Sequence, residues 1–188
     1  MQIGKFINEY TVVITAIMNK FTVFIIKRDA IIRGISEAIR RDIEEFYEII
    51  GERELIITRE MVTQMREREW QESWHPYPDD RKKEFIYANN EGLSQVLLCK
   101  IKGENDAISF GKKLRGANAV GHLCDEGTLR RRYMDQSLLA RIQHDEANIC
   151  YLCNENGERI GFVPNAVHTV DNSRELDEHL EIFFRENK

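Results

Sequence analysis

The sequence contains few of the residues that mark linkers and disulfide-stabilised folds. It has three prolines and four cysteines among 188 residues, and no segment repeats or becomes low in complexity. So little proline excludes an extended proline-rich linker. Since no secretory signal is recognisable, Cys99, Cys124, Cys150 and Cys153 are predicted to be free thiols in a reducing, cytoplasmic compartment.

A strong catalytic signature is also missing. No serine lies in a nucleophile-elbow sequence, and the segment Gly111–Gly116 lacks the Lys-Ser/Thr pair of a phosphate-binding loop. The acidic pairs Asp79–Asp80 and Asp145–Glu146 suit a divalent ion, but such loop acids are more often only solvated. We therefore expect no catalytic residue, no cofactor and a protein that is not an enzyme.

The composition is that of a folded domain, with 42% hydrophobic and 31% charged residues and a net charge of −5. Tyr10 to Ile26 is strongly apolar, but Lys20 lies inside it, and a lysine at the centre of a membrane span costs about 2.5–3.5 kcal/mol. We expect no membrane partner. The pattern favours a hairpin of Thr11–Ile17 and Phe21–Ile26.

Positive charge is concentrated in the middle of the chain. Residues 100–141 carry nine Lys/Arg against five Asp/Glu, an excess of +4, and residues 142–188 carry four against ten, a deficit of −6. Arginine forks match phosphate geometry, and a nearby tyrosine suits stacking on an unpaired base. The candidate nucleic-acid-binding residues are Lys112, Lys113, Arg115, Arg130, Arg131, Arg132 and Tyr133. Solvation, or pairing within the chain, is the alternative for these side chains.

The Cys150-x-x-Cys153 pair is the clearest candidate for metal binding, with Cys124 and His122 as further ligands by type. However, the pair lies in an apolar, β-prone run. Residues three apart in a strand point to opposite faces, so the two thiols would diverge. We therefore predict no metal site.

The first half of the chain predicts a hairpin-and-helix module over residues 1–78. Asp29 is a plausible N-cap, and isoleucines at three- and four-residue steps predict one amphipathic helix that ends at Gly51. A strand at Leu55–Thr58 and a helix at Glu60–Glu72 follow. The Trp-His-Pro-Tyr-Pro segment then marks a domain boundary.

The second half predicts a β-rich domain over residues 83–188. The predicted strands are Glu84–Ala88, Ser94–Lys102, Ala107–Phe110, 117–124, 137–143 and the two arms of a hairpin, Ile149–Cys153 and Arg159–Val163. A helix capped by residues 171–173 runs to Glu186. The predicted fold class is α+β, with a small OB-like or bent β-barrel closed by a C-terminal helix.

The C-terminal segment resembles a known family. His144–Ala147, Ile149–Leu152, the Asn156-Gly157 turn and Arg159-Ile-Gly-Phe-Val-Pro164 are similar to the closing half of a HIRAN domain, and the match covers about residues 144–185. Residues 165–170 and the terminal helix resemble the exit of bacterial stand-alone members. The resemblance implies an OB-like barrel that binds single-stranded DNA ends.

The sequence thus predicts a non-enzymatic accessory protein that binds single-stranded nucleic acid through the central cations. The first alternative is an assembly component, mobile-element or viral in origin, that forms a homo-oligomer through its apolar N-terminal hairpin. A weaker alternative is a metal-dependent hydrolase that uses Asp or Cys/His ligands.

Overall fold

An open four-stranded sheet forms the centre of the protein. The computed structural model describes residues 19–72, 80–117, 123–134, 150–153, 159–162 and 165–185. The sheet has the order β2-β3-β1-β6, and each neighbouring pair is antiparallel. Its strands are β1 (Phe21–Ile26), β2 (Tyr47–Ile57), β3 (Gly92–Ile101) and β6 (Val167–Thr169). A separate two-stranded sheet pairs β4 (Cys150–Cys153) with β5 (Arg159–Phe162).

Helices cover the sheet on both faces. They are α1 (Arg28–Ile32), α2 (Ser36–Glu44), α3 (Arg59–Glu72), α4 (Asp80–Asn90), α5 (Ala107–Arg115), α6 (Leu129–Arg132) and α7 (Ser173–Phe184). Every helix within the described ranges falls short of the length and apolarity needed to cross a bilayer.

The apolar sequence of β1 explains its central position. Phe24 and Ile26 point to one face and pack with Ala30, Ile39 and Ile43 from α1 and α2. Val23 and Ile25 point to the opposite face, where they pack with Val62 of α3 and with Leu176 and Phe183 of α7. Because both faces of the strand are buried, the sequence of β1 is mostly hydrophobic and does not alternate between apolar and polar residues.

The α+β class is confirmed, but the predicted OB-like barrel is wrong. The four-stranded sheet is open, with β2 and β6 at its edges. The only other strands in the described part are β4 and β5, which pair with each other. The sheet draws β1 and β2 from residues 1–78 and β3 and β6 from residues 83–188, so the two predicted units share it.

The long helix predicted from Asp29 to Ile50 is also wrong. Gly34 has φ of 67° between α1 and α2, α2 ends at Glu44, and Tyr47–Ile57 then pairs with β3. The isoleucine spacing continues into β2, where a bulge between Ile49 and Gly51 shifts the register. Pairing with β3 fixes the strand here, and periodicity alone could not exclude the helix.

Two predicted strands are helices. Residues 84–88 lie in α4, which packs its Ile86 and Tyr87 against the α3–α7 face of the sheet. Residues 107–110 begin α5, whose N-cap Asp106 accepts a hydrogen bond from the Ser109 amide at 2.7 Å. Burial of α4 and the N-cap of α5 override the strand preference of the aromatic and β-branched residues in these segments.

Several predictions are confirmed. Phe21–Ile26, Ser94–Ile101 and Leu55–Ile57 are strands, Glu60–Glu72 is helical, and β4 and β5 form the predicted antiparallel pair. The closing helix α7 begins after Asn172, whose side chain accepts from the Glu175 amide. The described residues leave out the first arm of the N-terminal hairpin, the segment at 137–143, residues 118–122 of the predicted strand at 117–124, and the turn at 154–158.

Candidate active site

The end of β1 and the start of β6 lie side by side and bring polar residues together. Ile25 is paired with His168 and Ile26 with Val167, and the Lys27 amide donates to the Ala166 carbonyl at 2.8 Å. Because side chains alternate along a strand, Lys27 and His168 project towards the same face of the sheet. That face is the one covered by α3 and α7.

A strained backbone fixes the entry into β6. Ala166 has φ of 56°, a left-handed conformation that is costly for a residue with a Cβ atom. Its amide donates to the buried carboxylate of Asp29 at 3.0 Å. Asn165 beside it donates to Asn89 Oδ1 at 2.7 Å, and Lys27 Nζ donates to the same oxygen at 2.8 Å. Such strain is typical of functional sites, where surrounding contacts hold it in place.

Three cations are buried around this junction. Lys27 is 3% exposed, and Arg115 and Arg130 are each 5% exposed. Burial lowers the pKa of Lys27 well below its ordinary value, and the charge of Arg130 lowers it further. Burial lowers the pKa of Arg130 too, with Arg115 as the next cause. These like charges therefore oppose one another, and a bound anion would relieve the repulsion.

The two arginines are held by the free edge of β6. Arg130 Nε donates to the Val167 carbonyl at 3.0 Å, and Arg115 Nη1 donates to the Thr169 carbonyl at 2.7 Å. Alternate carbonyls of an edge strand point away from the sheet and need such donors. Gly111 allows α5 to approach closely, since a Cβ there would lie 3.3 Å from Tyr47 Oη and 3.4 Å from Thr169 Oγ1.

His168 is oriented by a carboxylate at the start of α7. Its Nε2 lies 3.2 Å from Glu175 Oε1, and the second carboxylate oxygen accepts from the Asp171 amide at 2.6 Å. The Glu175 amide in turn donates to the N-cap Asn172 at 2.9 Å. The Asp171 amide thus fixes one Glu175 oxygen, and the other holds the imidazole in one orientation.

The imidazole is neutral at neutral pH. Burial lowers the pKa of His168 well below its ordinary value, followed by the charge of Arg66 and the neighbouring His179. Nε2 carries the ring proton and donates a hydrogen bond to Glu175, so the in-plane lone pair lies on Nδ1. A neutral, oriented imidazole next to Lys27 and Arg115 combines a nucleophile with an anion-attracting environment.

The cations predicted from the sequence do not form one surface. Arg115 and Arg130 lie in the site, and Lys112 Nζ lies 3.6 Å from Asp171 Oδ1 at its margin. Arg132 Nη1 and Tyr133 Oη instead contact Asp42, at 2.5 and 2.7 Å. Lys113 is exposed and Arg131 is partly buried.

Sequence reasoning missed Lys27, Asn165, His168 and Glu175. A signal was present in the chain, because a lysine directly after the most apolar strand and an Asn-x-x-His segment directly after Pro164 are both unusual placements. What the sequence does not show is that β1 and β6, which are separated by about 140 residues, are neighbours in the sheet.

Of the four metal candidates named from the sequence, the structure describes the side chain of Cys124 alone. Cys124 is buried, and Cys150 and Cys153 lie at the two ends of β4. His122 and the side chains of β4 lie outside the described part of the chain.

Comparison with known proteins identifies the fold. No protein-family model matches the sequence, and no curated protein matches it. Solved structures do match. A nucleoside-diphosphate kinase from Borrelia burgdorferi with bound vanadate and ADP has a TM-score of 0.63 at 18% identity, over 89% of this chain and 88% of that one. The chain has the nucleoside-diphosphate kinase fold.

Other solved kinases agree. The enzyme from Halobacterium salinarum in complex with CDP has a TM-score of 0.58 at 16% identity, over 89% of this chain and 88% of that chain. An NDP kinase from Pyrobaculum aerophilum has a TM-score of 0.58 at 22% identity, over 89% of this chain and 96% of that chain.

These matches overturn the interpretation as a HIRAN-like domain. The prediction of a non-enzymatic protein for single-stranded DNA ends depended on an OB-like barrel, and the sheet is open and kinase-like. The two alternatives, an assembly component and a metal-dependent hydrolase, are overturned by the same matches. The strand–turn–strand with Ile-Gly-Phe arises here in a two-stranded sheet outside any barrel.

Proposed function

We propose that the protein is a phosphotransferase that moves the terminal phosphate of a nucleoside triphosphate to a nucleoside diphosphate through His168. The observation that carries this proposal is the neutral imidazole, oriented by Glu175, next to the buried cations Lys27, Arg115 and Arg130. The ADP, vanadate and CDP bound by the structural neighbours support a nucleotide as the substrate.

The chemistry follows from the two ring nitrogens. The Nδ1 lone pair attacks the γ-phosphorus, and the N–P bond forms as the bond to the β–γ bridging oxygen breaks, so that the diphosphate leaves with that electron pair. A terminal phosphate oxygen of a second diphosphate then attacks the phosphorus, and the N–P electron pair returns to Nδ1. The Nε2 proton stays on the ring throughout.

The surrounding groups have separate roles in this scheme. Glu175 stabilises the positive charge that the imidazole acquires when it carries the phosphate. Lys27, Arg115 and Arg130 offset the negative charge of the substrate phosphates, which in turn relieves the repulsion among the three cations. Burial of the site excludes water, the competing phosphate acceptor.

The test is transfer of label between two nucleotides. ATP labelled at its γ-phosphate is mixed with CDP, and labelled CTP is measured for wild type, His168→Gln and His122→Gln. We expect the His168 variant to lose at least about 10³-fold in rate and the His122 control to stay within about twofold. Transfer by the His168 variant at the wild-type rate would refute the proposal.

A cytoplasmic location and a homo-oligomeric state, both expected from the sequence, remain proposals. The exposed side chains of Ile50 and Ile56 on edge strand β2 supply an apolar surface of the kind that a second copy would cover. Light scattering of the intact protein and of an Ile56→Lys variant tests the oligomer.

A further inference from the structure

His179 in α7 is a buried polar side chain without a role in the proposed phosphate transfer. It is fully buried, and neither ring nitrogen has a hydrogen-bond partner among the residues that the structure describes. Its neighbours include Phe183, with ring centroids 5.5 Å apart, and His168, also at 5.5 Å. An unsatisfied buried polar group costs about 1–3 kcal/mol, so a ring that keeps two such nitrogens needs an explanation.

The orphan ring faces two potential metal ligands. One ligand atom from each of His168, Glu175 and His179 lies within 4.8 Å of the other two. Glu175 Oε1 lies 3.2 Å from His168 Nε2 and 3.8 Å from His179 Nε2. Neighbouring ligand atoms in a tetrahedral zinc site are roughly 3.3 Å apart, given metal–ligand bonds of about 2.0–2.2 Å. Glu175 Oε1 and His168 Nε2 already have this spacing, whereas His179 Nε2, at 3.8 Å from Glu175 Oε1, must move closer when a metal binds.

We propose that His168, Glu175 and His179 bind a transition-metal dication of the zinc type. Two imidazoles and one carboxylate are three ligands of the kind that catalytic zinc sites use, with a fourth position left for water or another small ligand. Glu175 and His179 are four residues apart on one helix and therefore share a face, and His168 approaches from the neighbouring strand.

Charges around the cluster set the expected affinity. Glu175 supplies one negative charge to the ion, whereas Lys27, Arg66 and Arg115 are close enough to His168 to oppose a second cation. Asp171 lies near but is paired with Arg115 at 2.9 Å. We therefore expect binding weaker than at a structural zinc site.

Metal at this position would inhibit phosphate transfer, an inference that depends on the proposed function. A neutral imidazole has one in-plane lone pair. When Nε2 gives that pair to a metal, the ring proton moves to Nδ1, and Nδ1 can no longer attack phosphorus. The metal thus inactivates the nucleophile Nδ1 by binding the other ring nitrogen, Nε2.

Direct titration tests the site without any nucleotide. Metal-free protein in a phosphate-free buffer is titrated with Zn²⁺ against a chromophoric chelator. Wild type should bind one equivalent with Kd below about 100 µM, and His179→Leu should lose at least about tenfold. The controls His122→Gln and Cys150→Ser/Cys153→Ser, which remove other potential zinc ligands, should bind as wild type does.

Two results would overturn the site: no saturable binding by wild type, or unchanged affinity in His179→Leu. Far-ultraviolet circular dichroism establishes that the variant is folded. If it is not, Glu175→Gln takes its place, and the visible spectrum of the Co²⁺-loaded wild type provides a second readout. Nitrogen and oxygen ligands give no near-ultraviolet thiolate band, so the appearance of that band would refute the assignment.

A separate measurement addresses inhibition. Zinc at saturating concentration should reduce phosphate incorporation into wild type at least about tenfold and should have little effect on His179→Leu relative to its own rate without zinc. Equal inhibition of both would refute the block. Titration without nucleotide stays informative if phosphate transfer is absent, and transfer without zinc stays informative if the metal does not bind.

Discussion

Replacement of Lys27 by methionine should raise stability and weaken nucleotide binding at the same time. Methionine keeps the length of the side chain and removes the charge. The buried ammonium has a pKa far below its ordinary value because of burial and of Arg130, so in the free protein the charge is destabilising. The same charge is favourable only when a phosphate is present.

The magnitudes follow from the contacts of Lys27. Removal of the cation relieves a burial penalty of several kcal/mol and loses one charged hydrogen bond, Nζ to Asn89 Oδ1 at 2.8 Å, worth about 1.5–3 kcal/mol. Asn89 Oδ1 still accepts from Asn165. It also removes the attraction between Lys27 and the buried carboxylate of Asp29, so the net expectation is a gain of no more than about 1 kcal/mol in the free energy of unfolding.

The loss in binding is larger. A cation 4 Å from a phosphate charge contributes about 4 kcal/mol at an effective dielectric constant of about 20, which corresponds to a factor of about 10³ as an upper limit. Urea unfolding measures the first effect, and calorimetric titration with ADP measures the second. Lys113→Met, the same change at an exposed lysine of α5, is the matched control. A Lys27→Met protein that is less stable and binds ADP as wild type does would refute the reasoning.

Three further perturbations test the support of the site. Burial raises the pKa of Asp29 to about 6 from 3.8, so its favourable contribution is complete below about pH 4 and is lost as the pH rises through 6. Between about pH 4 and a pH above 6, the free energy of unfolding of wild type, measured by urea titration, should therefore fall by up to about 3 kcal/mol relative to that of Asp29→Asn. A difference between the two proteins that does not change with pH would contradict this. Ala166→Val places a β-branched residue at φ of 56° and should cost about 2 kcal/mol in the free energy of unfolding, whereas Ala166→Gly should change it by less than about 1 kcal/mol; equal effects would rule out backbone strain. Asn172→Ala removes the N-cap of α7 and should cost about 1 kcal/mol, together with a slower phosphate transfer because Glu175 loses its anchor; an unchanged melting temperature would argue against the cap.

Local signals in the sequence predicted the elements that depend on local contacts. The closing helix carries its own N-cap and apolar stripe, and the β4–β5 pair carries its own turn residues. Strand β1 was predicted because its six residues are all β-prone, and β3 because good turn sequences lie on both sides of its apolar run. Predictions were wrong where other contacts determine the secondary structure. At Tyr47–Ile57, pairing with β3 produces a strand where a helix was predicted. At Ala107–Phe110, the N-cap Asp106 starts a helix where a strand was predicted.

The site was harder to predict because its residues come from distant segments. Arg115 and Arg130 were singled out as phosphate-binding cations, but their partners were not, because Val167 and Thr169 accept from them through backbone carbonyls that any residue supplies. The Asn-x-x-His segment that contains His168 does not by itself indicate chemistry, which depends on Glu175 and on burial. Only the pairing of β1 with β6 brings Lys27 to it.

The most direct test of the central claim is to locate the phosphate on the protein itself. Wild type incubated briefly with γ-labelled ATP and separated from nucleotide should retain label that is lost in acid and kept in base, as expected for a phosphoimidazole. Mass spectrometry should assign it to the peptide that contains His168, and CDP should remove it as CTP. Label that is stable in acid, or that remains at the same level in His168→Gln, would contradict the account.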